Sequence, residues 1–479
     1  MEITHIHYLI FLVVSVLSFY CVPTKFKWLT LFTSSLVFIG LHSWTALLLA
    51  LVLSLFNFAA SKHIYGRLKS DKKKTHLGGV IFINLLILGM FKYLNLWNKG
   101  IGWLGDLFAF NTDDLLVTLF LPIGISYIVF QAISYQIEIQ RGQLEPQRNL
   151  GYLITYLTFF PKLTAGPIEK PKTFIEQLSP PEVKYSNFSD GFRLLLWGLF
   201  KKIFISANIH ALIQPIFDRS DLYSEKVFII AACLYTIEIY ADFSGYTDMA
   251  RGAGKLFGIR LTDNFNRPLL ASSLTEFWRR WHISLSTWVN DYVYTPLSMW
   301  LSLKFNPGKW VIIITILISF SIIGLWHGAN WTFLWFGLIQ ALVLIIEVLT
   351  KNVRARASGK IPRSITQFLG VVFTFAIFTF SCLFFRASGM TEFLGWFDEQ
   401  SYLAEPTGIL KWLKSNSFQF VALIVICFVF IDHVLLKKGF VHWCNHQPGW
   451  IRWIIYSILL YAVLAGSPIK IEPFIYQAF

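Results

Sequence analysis

One histidine stands where a titratable ring is unexpected. His327 sits in "GLWHGANW", with "VIIITILISFSII" before it and "TFLWFGLIQALVLIIE" after it. His282, in "TEFWRRWHISLSTWVNDYVY", turns with Arg279 and Arg280 away from the tryptophan face of that segment. Desolvation around His327 favours neutral imidazole over its cation. A neutral imidazole can accept a proton from a hydroxyl, as a general base in acyl transfer must. The same residue type also serves as a packed side chain bonded to a backbone carbonyl, and the residues alone leave both readings open.

Charged neighbours widen the chemistry. Arg279 and Arg280 could meet a phosphate-bearing substrate. On a helical template Trp278, Trp281, Leu285 and Trp288 share one face, which predicts an amphipathic helix with tryptophans in the headgroup zone. A plain interfacial anchor is the simpler account of that pattern. Glu238, Asp242 and Asp248 fall in or near a membrane-depth segment, "EIYADFSGYTDMARG", where ionisable groups pair or line a wet cavity. Arg251 is the expected partner. "LTAGPIEKPKTFIEQL" (163–178) reads as a loop returning between helices. Five cysteines without a CxxC predict neither a disulfide framework nor a metal site.

The elements that must carry these residues are membrane helices. The chain is 55% hydrophobic and only 14% charged, against about 25% charged in soluble domains. Spans are expected near 4–21, 28–42, 44–60, 77–92, 115–135, 192–216, 226–241, 311–349 (long enough for two), 364–385, 418–435 and 450–466. Shorter apolar pieces near 152–166 and 283–301 suit re-entrant segments. The aromatic stretch 93–114 suits an interfacial one. The total is about 11–13 helices. The opening "MEITHIHY" lacks the basic region of a signal peptide and reads as a retained helix.

The net charge of +14 does not indicate nucleic acid. The basic residues collect in short loops, "SKHIYGRLKSDKKK" (61–74), "KNVRARASGK" with Arg363 after it (351–363) and "LKK" (436–438). Such loops are cytoplasmic, which puts the N-terminus outside. They would also attract anionic lipid headgroups. His327 lies either at the tip of a hairpin or deep in a broken span, which is tolerated only inside protein or along a cavity.

Several stretches together carry a resemblance. "LPIGISYIVFQAISYQIEIQRG", "LTFFPKLTAGPIEK", "YADFSGYTDMARGAGKLFGIRLTDNFNRPLLA", "FWRRWHISLSTWVNDYVYTPL" and "GLWHGANWTFLWFGLIQALVLIIE" occur in this order. They resemble core motifs of the membrane-bound O-acyltransferases, in the branch of alginate and peptidoglycan O-acetyltransferases and the teichoic-acid D-alanyl transferase. The resemblance implies an all-α polytopic fold, a ring of helices around a central tunnel. It implies a single domain over 1–479, with core motifs in 115–350 and peripheral helices in 1–114 and 351–479.

It also implies roles. His327 would be catalytic near the tunnel centre, with His282 a second active-site residue. Trp326 and Asn330 would orient the imidazole or shape the tunnel. Trp278, Arg279, Arg280 and Asp242 would contact substrate. Tyr476, in "PFIYQAF", would match a tyrosine proposed to act in an acyl relay, although Gln477 and Ala478 depart from the usual pattern; an aromatic anchor explains it equally. The donor would be an acyl thioester, acetyl-CoA in the acetylating branch and a phosphopantetheine-bearing carrier in the D-alanyl branch. No permanently bound cofactor and no metal is expected. An SGNH-type, esterase-like partner outside a bacterial cytoplasmic membrane would complete transfer to a polysaccharide. Other acceptors of the same fold (lipid, peptide, D-alanyl pathway) and a glycolipid transporter with His327 as proton relay are the alternatives.

Overall fold

The computed structural model describes residues 3, 5–67, 73–93, 98, 122–179, 181, 184–358, 361–398 and 408–466. Every regular element among them is helical. Seven helices are long and apolar enough to cross a membrane: Trp44–Gly66, Tyr185–Asp218, Glu225–Leu256, Lys309–His327, Trp331–Leu349, Arg363–Arg386 and Asn416–Leu435. Ile6–Cys21, His76–Lys92 and Gly449–Ala465 are shorter and apolar. The protein is therefore an all-α, multi-pass membrane protein. The shorter helices explain why the long spans are fewer than the apolar runs. At 1.5 Å per residue, 16 residues reach only about 24 Å, less than the ~30 Å hydrocarbon core.

Residues 115–121 of the span expected at 115–135 lie outside the described residues, and its helix is Ile125–Gln140. Two other spans lengthen most. The run near 226–241 continues as one helix to Leu256, and 192–216 becomes part of a continuous helical path from Tyr185 to Asp218. That path contains a π-helical stretch, Phe200–Ser206. Most of 93–114 lies outside the described residues.

The chain clusters into two compact units. One comprises Met1–Gly191 and Ala250–Thr262. Its interior is tied by amides. Asn57 Nδ2 donates to Asn84 Oδ1 at 3.0 Å, and Gln136 Nε2 donates to the Asn57 carbonyl at 2.7 Å. These bonds join three helices in a setting where unpaired polar groups are costly. The GPIE turn is held similarly. Glu169 accepts from the Thr262 amide and hydroxyl at 2.7 and 2.9 Å. Lys162 is buried, donates to Gln131 and to the Tyr156 carbonyl, and lies over the Tyr156 and Phe174 rings. Burial pulls its pKa down to about 7 and pushes that of Glu169 up; the attraction between them opposes both shifts. The stretch is thus a returning loop with a buried polar latch.

The other unit comprises Phe192–Met249 and Asp263–Phe479. Two pairs of glycines let helices touch backbone to backbone. A Cβ on Gly198 would stand 2.5 Å from the Gly245 carbonyl oxygen. A Cβ on Gly324 would stand 2.3 Å from the Phe333 oxygen, and one on Gly337 2.2 Å from the Phe320 oxygen. The last two contacts close Lys309–His327 against Trp331–Leu349 as an antiparallel hairpin. Because the obstacle is backbone, it cannot rotate away. Gly337→Ala is expected to destabilise the protein by about 1–3 kcal/mol, read as a lower thermal midpoint in detergent. An unchanged midpoint would remove the close-crossing argument.

Candidate active site

His327 is the last residue of its helix, and Gly328-Ala329-Asn330 make the turn. Of the two positions left open by the sequence, the structure has the hairpin tip, and the tip is buried in protein. His327 is 5% exposed. Its ring lies 5.1 Å from Trp326, 5.1 Å from Phe385 and 5.8 Å from Phe336. Asn330 faces away from an orienting role. Its amide donates to the Ser388 carbonyl and so pins the tip to the chain that follows Arg363–Arg386.

His282 is reached differently from the single amphipathic helix predicted. The helix Leu274–Trp278 ends, the chain turns, and Ile283–Val289 begins a new helix with His282 as its N-cap. Trp278, Trp281, Leu285 and Trp288 are all buried, so they form core and not a headgroup belt. The indole of Trp278 donates to Gln340 Oε1 at 3.0 Å, deep in the hairpin's second helix.

The turn is strained. His282 has φ 42°, in the left-handed region that disfavours residues with a Cβ. Asn264 holds it there. Its carbonyl accepts from the Ile283 amide and its Oδ1 from the Ser284 amide, both at 3.0 Å. The Asn266 amide also donates to the Arg280 carbonyl at 2.9 Å. His282 is 1% exposed, and neither ring nitrogen bonds to another residue. Its ring meets Phe243 at 4.8 Å and Trp326 at 5.8 Å. One indole, Trp326, therefore contacts both histidines, which the sequence holds far apart.

Burial lowers the His282 pKa to about 3, so the ring is neutral at pH 7. Two outcomes follow. Unfolded chains regain a histidine that protonates near pH 6.5; folding stability from this group is complete above that pH and is lost as pH falls toward 3, by about 1.4 kcal/mol per unit. Thermal midpoints between pH 7.5 and 5 should fall less steeply in His282→Gln. Secondly, Asn264→Ala should lower kcat for acyl transfer by roughly tenfold through loss of the one side-chain hydrogen bond to the Ser284 amide. Unaltered kcat would show that the turn needs no clamp.

The acids are committed elsewhere than expected. Asp242 pairs with Lys202, Asp248 with Lys201 at 2.7 Å, and Glu238 with His210 at 2.8 Å. Arg251, the partner expected from sequence, belongs to the other unit, where its charge acts on Glu169. Arg280 is bonded to Glu276 and to the Arg267 carbonyl, so it braces the turn; Arg279 is exposed. Tyr476 lies outside the described residues.

Sequence reasoning missed Asn264, Gln340 and Glu347. Glu347 accepts from the Leu274 and Thr275 amides at 2.7 and 3.0 Å, fixing the helix that leads to His282. A signal existed for two of them. Gln340 and Glu347 are seven residues apart in an apolar run, hence on one inward face. Asn264 lies in a loop, where spacing carries no such signal.

A buried pair of imidazoles that touch one indole suits acyl transfer, and comparison with known proteins decides the family. The model of the MBOAT, membrane-bound O-acyltransferase family, matches residues 43–390. The chain belongs to the membrane-bound O-acyltransferase family. It is 35% identical over 377 residues to the probable alginate O-acetylase AlgI of Azotobacter vinelandii, covering 78% of this chain and 72% of that protein. It is 29% identical over 409 residues to the peptidoglycan O-acetyltransferase of Helicobacter pylori, covering 79% and 74%. It is 27% identical over 275 residues to the teichoic acid D-alanyltransferase of Bacillus subtilis, covering 55% and 68%. The protein is thus a membrane-bound O-acyltransferase, whose co-substrate is an acyl donor. Both histidines of this acyltransferase fall inside the matched residues, whereas everything after 390 falls outside them.

Proposed function

We propose that this O-acyltransferase moves an acetyl group from a cytoplasmic coenzyme A thioester to hydroxyls of an extracytoplasmic polysaccharide, through an SGNH-type partner outside the membrane. The observation that carries the reading is the contact of His282 and His327 with one indole. The similarity to alginate and peptidoglycan acetylating enzymes supports the acetyl group and the glycan. The basic loops support a bacterial cytoplasmic membrane and an outside N-terminus.

In the reaction, the acceptor hydroxyl oxygen bonds to the thioester carbonyl carbon and the carbon–sulfur bond breaks. His327 takes the hydroxyl proton, which passes to the departing sulfur and gives free thiol. His282, neutral because it is buried, is the second imidazole beside the reacting groups. Arg279, exposed beside the braced turn, is available to a donor phosphate; Trp278 and Asp242 act as wall. A positioned base supplies roughly 10²–10⁴ in rate, and holding both substrates together supplies the rest.

The test is release of coenzyme A thiol from acetyl-CoA by the purified protein with its partner and polysaccharide, with acetyl measured on the polymer by mass spectrometry. Transfer from a D-alanyl carrier in place of acetyl-CoA would overturn the donor. Glycolipid movement without thiol release would overturn the enzyme reading.

A further inference from the structure

The residue that clamps the His282 turn has one end without a bond. Asn264 is 1% exposed. Its Oδ1 accepts from the Ser284 amide at 3.0 Å. Only the oxygen of a side-chain amide can accept, so this bond fixes which way the group faces. The other end, Nδ2, is buried and makes no hydrogen bond to the protein. Buried polar groups are nearly always bonded, and an exception marks a place where something other than the chain completes the bonding. His282 has two more such atoms, Nδ1 and Nε2. The segments that carry these three nitrogens are tied directly, because the Ile283 amide donates to the Asn264 carbonyl at 3.0 Å.

The backbone gives an independent sign. Among the described residues, Arg267 and His282 are the non-glycine residues with positive φ, at 51° and 42°. One follows Asn264 by three positions, and the other precedes the two amides that Asn264 accepts from. Strained backbone persists where its surroundings over-determine it, and it collects at active sites and ligand clamps. Packing continues the link toward His327. Phe265, next to Asn264, meets Phe243 at 5.1 Å, and Phe243 meets His282 at 4.8 Å. Trp326 then joins His282 to His327, at 5.8 and 5.1 Å. Asp263, the acid beside Asn264 in sequence, is exposed. The Asn264 amide is thus shut off from water and held by its oxygen, so its N–H needs no reorientation to donate. Those are the properties of a donor that stabilises charge as it develops.

We propose that Asn264 is a catalytic residue whose Nδ2–H donates to the acyl carbonyl oxygen as it becomes an oxyanion. The acceptor hydroxyl oxygen bonds to the carbonyl carbon, His327 takes the hydroxyl proton, and the π pair of the carbonyl moves onto its oxygen. Asn264 holds that negative oxygen. The pair then returns, the carbon–sulfur bond breaks, and the sulfur leaves with the proton from His327. Nothing is oxidised or reduced, and the amide is unchanged at the end. The thioester as the source of the oxygen rests on the function proposed above.

The experiment compares two uncleavable ligands on the purified full-length protein by calorimetry in detergent. One is the ketone analogue of acetyl-CoA, with a methylene in place of the sulfur. The other is the same molecule with its ketone carbonyl replaced by a methylene. The unmodified protein is expected to bind the ketone more tightly. Asn264→Ala should reduce that preference roughly tenfold, the scale of one hydrogen bond, whereas loss of a clamp alone would weaken both ligands equally. Asn264→Asp keeps an oxygen for the Ser284 amide but has no N–H; it should lose the same preference, and it serves if the alanine variant does not fold. In turnover, the tenfold fall in kcat given above for Asn264→Ala counts the clamp alone, and the missing donor should deepen it to roughly 10²–10³. A preference that survives in the variants, or that the unmodified protein lacks, overturns the assignment. If neither ligand binds the unmodified protein, coenzyme A fails as the donor and the assignment falls with it. Thiol release by the unmodified protein together with an unaltered preference in the variants rejects Asn264 alone.

Discussion

His327→Ala is expected to reduce acyl transfer by roughly 10²–10⁴, the contribution of one positioned acid–base group. The loss should appear in kcat, because the imidazole acts on the proton that moves and not on donor binding. The ring is packed among Trp326, Phe336 and Phe385, so the alanine variant also leaves a cavity. His327→Gln separates the two effects. It fills most of the space and retains an acceptor, yet cannot carry the proton onward. Comparable turnover losses in both variants, with a near-normal thermal midpoint in the glutamine variant, would establish the chemical role. Undiminished thiol release in either would sink it. His282→Gln is expected to share the loss, since the same indole contacts both rings.

Lys202→Met is expected to cost about 3–5 kcal/mol, because it removes the lysine that balances the charge of Asp242 in the interior. The Lys202 and Asp242 side chains are 4% and 5% exposed. The cost belongs to the uncompensated charge and not to the pair. Lys202→Met combined with Asp242→Leu should therefore recover most of the lost stability, as apolar replacements of buried pairs commonly do. Thermal unfolding of the two single variants and the double variant in one detergent is the measurement. Equal destabilisation by the double variant would show that the ion pair holds the π-helical stretch in a way packing cannot replace. The neighbouring Lys201–Asp248 pair has a more accessible carboxylate, 14% exposed, and should be less sensitive to the same treatment.

Much of the architecture is readable from hydropathy. The runs at 44–60, 311–349, 364–385 and 418–435 became helices with ends within a few residues, apart from the extension of the first to Gly66. Membrane helices satisfy their own backbone bonds, so local composition suffices to predict them. Polar helical stretches were harder. "YADFSGYTDMARG" begins where the expected span 226–241 ends, yet it is helical throughout. Its carboxylates find lysines on a helix more than 30 residues away in sequence, at a crossing that Gly198 and Gly245 permit. No local window contains that information.

The sequence by itself determined that this chain is a membrane protein, placed His327 in a break between two apolar halves, and carried motifs of the O-acyltransferases. Those are properties of composition and order along the chain. Only the tertiary structure decided that the break is a buried hairpin tip, that the tryptophan-rich segment is a strained turn clamped by Asn264 and not a surface helix, and that Trp326 touches both imidazoles. It likewise decided that Arg280 braces that turn while Asn264 and His282 keep buried nitrogens without a hydrogen bond. The reason is physical. Burial, strain and hydrogen bonding are pairwise properties of residues brought together from distant segments, and a linear pattern records neither which pairs meet nor which polar atoms remain unpaired.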